Sequence, residues 1–128
     1  MSYLGLLLGF KIGVTALLVS VPLLLARREV LLARTRVNEA AAPWLRLYGV
    51  AVTALLVGYA SGFWALAEDR FPWGVVAMGI VSNAGTTALM LTSGVARAAP
   101  LRTGIFAAIA IALTAAAVAP SAALIRVF

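Results

Sequence analysis

Four apolar runs, each about as long as the hydrocarbon core of a bilayer is thick, leave this chain very few ways to fold. Between residues 3 and 26 the single charge is Lys11, and between 73 and 96 there is none. The runs at 44–66 and 101–125 carry one arginine each, Arg46 and Arg102, close to their starts. A helix needs about 20 mostly apolar residues to cross roughly 30 Å of hydrocarbon, and in lipid a helix is the open-chain form that satisfies its own backbone. The expected fold is therefore all-α: a polytopic membrane protein, one four-helix transmembrane bundle over residues 1–128, with spans at about 3–26, 44–66, 73–96 and 101–125. The composition agrees, with 11% charged residues and a mean hydropathy of +1.09, where a soluble domain has roughly a quarter of its residues charged. The first run has no positive segment ahead of it and its arginines follow it, so it reads as a retained span and not a leader.

The charges orient the spans. The loops after the first and third spans hold Arg27, Arg28, Arg34, Arg36, Arg46, Arg97 and Arg102, while the opposite side holds Arg70 and Arg126. This bias places both basic loops in the cytoplasm and both termini outside. Arginine-heavy, lysine-poor and alanine-rich usage points to a bacterial inner (plasma) membrane. With its basic residues in loops between apolar runs, the net charge of +6 reads as topology and contact with anionic lipid, and no nucleic-acid partner is expected.

Small residues mark where helices can meet. Gly5, Gly9 and Gly13 recur every fourth residue in the first span, and Ala54, Gly58 and Gly62 do so in the second. Such stripes allow close backbone approach, so these glycines are helix-packing candidates and the first two spans are expected to form an antiparallel hairpin. Trp44 and Trp64 lie about 30 Å apart along a helix, the separation of two aromatic belts. Pro22 permits a kink near the end of the first span. Between the first two spans, Val30, Ala33, Val37 and Ala41 follow helical spacing, which suggests a helical extension or an interfacial helix. Arg27, Arg28, Arg34 and Arg36 there serve either a plain connector or a lipid-headgroup site.

Groups able to do chemistry are few. With neither Cys nor His, the chain lacks the usual ligands for zinc, haem and iron–sulfur clusters, so no metal and no cofactor of its own are expected. No Asp or Glu falls inside a span, which removes the acid of a proton-coupled antiporter and the base of an intramembrane hydrolase. No catalytic residue is assigned and the chain is not expected to be an enzyme. Lys11 is the one clearly intramembrane charge, roughly 12 Å below the outer surface. It either reaches outward, towards Glu68 and Asp69, or serves a ligand, an ion or a partner subunit. The stretch from Val81 to Gly94 is the most polar run inside a span, and Gly79, Asn83, Thr86, Met90 and Ser93 share one helical face in it. Asn83 falls near the midplane, at the depth of Thr53 and Thr114. Its carboxamide requires hydrogen-bond partners from other helices, or from water and a ligand.

Lys11, Tyr59, Asn83, Thr86 and Thr114 are thus the candidate ligand or helix-contact residues. Two functions are consistent with them. The leading one is a non-catalytic integral membrane accessory or assembly subunit of a larger complex, contacting lipid and other integral membrane subunits. The alternative is a small homo-oligomeric channel or transporter for an anion or small polar solute. A bound lipid, quinone or pigment is compatible with either, because apolar ligands ask only for shape.

Overall fold

The structure, a computed structural model, describes residues 2–125. Arg126, one of the two arginines assigned to the outer side, lies outside the described residues. Among the described residues the chain is all-helical, 86% helix with no strands, and four of the helical stretches there are long and apolar enough to cross a membrane: Tyr3–Leu25, Glu39–Ala67, Trp73–Thr92 and Pro100–Val118. The first comprises α1 (Tyr3–Thr15), a π-helical turn (Ala16–Ser20) and α2 (Val21–Leu25). A short α3 (Arg28–Thr35) and a 3-10 turn (Glu39–Ala41) lead into α4 (Ala42–Ala67). Then follow α5 (Trp73–Thr92), α6 (Val95–Ala98), α7 (Pro100–Val118) and α8 (Pro120–Ala123).

Local chemistry sets these boundaries. Proline disfavours the helical conformation in the residue before it, and Ala99 (φ −136°, ψ 60°) and Ala119 (φ −126°, ψ 68°) both break just ahead of Pro100 and Pro120. The fourth long helix therefore stops at Val118, short of the expected 125. The third stops at Thr92 instead of 96, because Gly94 takes the left-handed conformation at φ 76°, which glycine adopts without steric cost. At the end of α4, Asp69 is left-handed (φ 52°). There the Arg70 N–H reaches the Ala65 carbonyl at 2.8 Å and the Asp69 N–H reaches Leu66 at 3.2 Å, the bonding pattern of a Schellman stop.

Pro22 produces a π turn where a kink was expected. Its ring would crowd the Leu18 carbonyl and it has no N–H to offer that carbonyl. The turn just before it is widened, with the Val21 N–H bonded to the Ala16 carbonyl, one residue further back than in an α-helix. The basic connector is likewise no extension of the first span. Ala26 and Arg27 are extended, so α3 is a separate helix that buries Leu31 and leaves Val30 exposed.

Residues 8–60 form one compact unit, and the described residues 2–7 with 61–125 form another. In the first unit, α1, the π turn and α2 run antiparallel to α4: Lys11 meets Tyr59, Ser20 meets Thr53, Leu23 meets Gly49, and Ala26 meets Arg46. The α4 residues buried along this unit are Ala42, Gly49, Val52, Leu56 and Tyr59, and the last four alternate three-and-four spacing, the seam of a helix packed nearly parallel or antiparallel to a neighbour. The closest backbone approach falls at Gly49. A Cβ there would stand 2.9 Å from the Leu23 Cβ and 3.0 Å from the Leu24 Cδ2, so glycine is required by the separation of the helices.

In the other unit α5 packs along α7. Val76, Gly79 and Asn83 are the buried residues of α5, and Thr103, Ile109, Ala110, Leu113 and Ala116 those of α7. The Thr103 hydroxyl donates to the Met90 sulfur at 3.8 Å. Near the start of this unit, the Ser2 hydroxyl accepts the Gly5 N–H at 3.2 Å, capping α1 as serine commonly does.

Candidate functional site

The first cluster of chemistry-bearing groups is built on the buried stripe of α1. Leu4, Leu8 and Lys11 follow at intervals of four and three and are all buried, so the helical repeat turns the lysine inward with the leucines. Lys11 is 5% exposed and Tyr59 is 2% exposed. The Lys11 ammonium lies over the face of the Tyr59 ring, 4.5 Å from its centroid. The ring's negative face attracts the cation, an interaction worth about 2 kcal/mol when both groups are out of water. Among the described residues no ion pair includes Lys11: Glu39 is paired with Arg28 and Glu68 with Arg70.

The second cluster is the polar face of α5. Asn83 is 1% exposed. Its Nδ2 donates to the Gly79 carbonyl at 2.6 Å and to the Ser82 hydroxyl at 3.3 Å. Its Oδ1 is buried without a partner among the described residues, and such an orphan costs about 1–3 kcal/mol. The hydroxyls beside it turn back onto their own helix. Thr86 donates to the Ser82 carbonyl at 2.7 Å, Thr87 to Asn83 at 2.8 Å and Ser93 to Leu89 at 2.6 Å. Thr114 does the same on α7, donating to Ala110 at 2.8 Å from an exposed position. Helical Ser and Thr commonly satisfy their donors in this way, and among the fully buried side-chain polar atoms of the described residues the Asn83 oxygen alone lacks a partner.

The glycines divide. Gly5 is buried, with the Ser2 Oγ 3.3 Å and the Leu66 Cδ1 3.6 Å from the position of a Cβ, whereas Gly13 is exposed with nothing within 4 Å. Gly9 and Gly58 are half-buried and Gly62 is buried. Arg27, Arg28, Arg34 and Arg36 are all exposed, and Arg36 ends α3 in the left-handed conformation at φ 55°.

Three residues that matter here did not stand out from their spacing. In the sequence Arg46 counts only as a topology-setting charge. Its Nη1 donates to the Leu23 carbonyl at 2.7 Å and its Nη2 to the Ala26 carbonyl at 2.6 Å. The guanidinium thus caps the carbonyl end of α2, where orphan acceptors and the negative end of the helix dipole coincide. A signal was present, since any helix ending at Ala26 needs donors for its last carbonyls, and Arg46 is the first cation on the returning span. Gly49 belongs to no small-residue repeat. Ser20, buried by the π turn, is hydrogen-bonded to the Thr53 hydroxyl at 3.1 Å, while Thr53 also donates to the Gly49 carbonyl at 2.8 Å.

These groups are of two kinds, a buried cation on an aromatic face and a carboxamide with one open acceptor. The chain matches no protein-family model, no curated protein and no solved structure.

Proposed function

We propose that this chain is a non-catalytic integral membrane subunit that docks through its outer helix faces onto other membrane helices. One observation carries the reading. On α7 the exposed positions include Gly104, Ala108 and Ala115, and on α5 they include Ala84, Gly85 and Ala88; Gly85 and Gly104 have nothing within 4 Å of where a side chain would begin. A position facing lipid gains transfer energy from a large apolar side chain, and glycine and alanine forgo it. Small residues on an outward face are instead suited to close approach by a second helix. The self-satisfied hydroxyls of α5 fit the same role, since they offer little to a passing solute.

The proposed setting is a bacterial plasma membrane, with the basic loops cytoplasmic and both termini outside. Because the chain has no cysteine, single introduced ones report sidedness directly. In intact cells an impermeant maleimide should label Glu68→Cys, and it should label Ala40→Cys only after permeabilisation. Extraction in mild detergent at native expression tests docking: a second membrane protein should co-purify and be lost with Gly85→Leu and Gly104→Leu. A lone monomer under those conditions would sink the reading.

A second reading, a small homo-oligomeric channel or transporter for an anion, is favoured by Lys11, a buried ammonium with no carboxylate paired to it among the described residues. On that reading Lys11→Met and Asn83→Leu abolish anion flux in liposomes while assembly persists, and flux unchanged in both ends it.

A further inference from the structure

Arg28, Glu39, Ala40, Ala42, Pro43 and Arg46 line an open groove of about 660 Å³. We propose that this groove holds the headgroup of a phospholipid whose phosphodiester sits beside a primary ammonium. The inference rests on the reading that the spans cross a bilayer, and it is independent of which protein they dock against.

Position comes first. The first long helix ends at Leu25 and α4 begins at Ala42, so the groove lies at the ends of both helices, where headgroups meet a spanning hairpin. Trp44, which follows Pro43 directly, is 71% exposed, as expected of an aromatic side chain at the membrane interface.

The charges are specific. Arg46 is held by its two bonds to the Leu23 and Ala26 carbonyls, which occupy two of the five donors of a guanidinium. Arg28 donates to the Glu39 Oε2 at 3.1 Å. One groove thus presents two guanidinium groups, matched to phosphate oxygens, and a carboxylate within reach of the same ligand. A purely anionic headgroup would be met better by the arginines alone, because Glu39 repels it. A headgroup carrying both charges uses all three residues. A primary ammonium can donate a hydrogen bond to the Glu39 carboxylate, whereas a quaternary ammonium has no N–H to give. Ala40, Ala42 and Pro43 supply the apolar wall against which the glycerol carbons rest.

The test uses the full chain in detergent, titrated with phosphatidylethanolamine, phosphatidylcholine and phosphatidylglycerol of one acyl composition, with bound lipid counted by native mass spectrometry. Phosphatidylethanolamine should bind about fivefold more tightly than phosphatidylcholine, the scale of one exposed ion pair, and more tightly than phosphatidylglycerol. Arg28→Gln should weaken its binding roughly tenfold, as loss of a charged hydrogen bond does. Glu39→Gln should erase the preference over phosphatidylcholine while phosphodiester binding remains. Both side chains are well exposed, so the variants should keep the helical content and melting temperature of the parent. Three results would overturn the proposal: equal binding of all three lipids; preference for phosphatidylglycerol that Glu39→Gln leaves unchanged; or water-soluble phosphoethanolamine binding as tightly as the lipid, which would make the ligand a free metabolite.

Discussion

The Lys11 ammonium and the Tyr59 ring are stacked at 4.5 Å, joining two residues 48 positions apart in the sequence at one end of an antiparallel pairing whose other end is Arg46 on the Ala26 carbonyl. The cation is held by the aromatic face. Tyr59→Phe, which keeps the ring, should therefore hold stability within about 1 kcal/mol, and Tyr59→Leu should lose about 2 kcal/mol. Unfolding in mixed micelles measures both. Combining Lys11→Met with Tyr59→Leu should recover part of the loss, since the stranded charge goes with its partner. Equal losses for Phe and Leu would assign the role to the hydroxyl.

Glycine at position 49 is fixed by a backbone approach, and glycine at 13 is not. Gly49→Ala should lower stability by about 1–3 kcal/mol through overpacking against Leu23 and Leu24. Gly13→Ala, in open space, should be neutral or stabilise by up to about 1 kcal/mol through helix propensity. The two melting temperatures should move in opposite directions or differ by several degrees, and identical shifts would contradict the packing described.

Arg46 closes the carbonyl end of the first long helix. Arg46→Gln removes a charge-assisted pair of bonds and should cost about 2 kcal/mol, with faster amide exchange in residues 21–26. Arg46→Lys keeps the charge without the fork and should recover about half of that. Full recovery by lysine would mean that charge alone matters at this cap.

The orphan oxygen of Asn83 makes the isolated chain less stable than it needs to be. Asn83→Leu, nearly the same shape without the polar group, should raise stability by about 1–2 kcal/mol in detergent. A loss of similar size would show that a donor from water, a ligand or another helix already occupies the Oδ1 in detergent.

Glycine and asparagine illustrate how differently sequence and tertiary structure carry information here. The polar face of α5 was legible, because a carboxamide among apolar residues at helical spacing stands out against its background. That Thr86 and Thr87 would turn back onto their own carbonyls was not, since a hydroxyl can bond its own helix or a neighbour with nearly equal ease. Gly5, Gly9 and Gly13 were found by their spacing, yet Gly13 faces open space and Gly49, outside any stripe, carries the close contact. The expected lengths of the third and fourth spans ran past the helices that formed, although Gly94 and Pro120 were visible as places to stop.

The amino-acid sequence by itself determined the elements of this protein. Uninterrupted apolar length specifies four helices that can cross a membrane, and prolines, glycines and charged turns divide them. Only the tertiary structure decided which faces meet: Lys11 on Tyr59, Ser20 on Thr53, Leu23 on Gly49, and Arg46 on the end of α2. The reason lies in the solvent these helices are suited to. A helix in water declares its buried side by an apolar stripe, but helices apolar on every side carry no such mark, and their contacts are chosen by shape and by the few polar groups that must find partners.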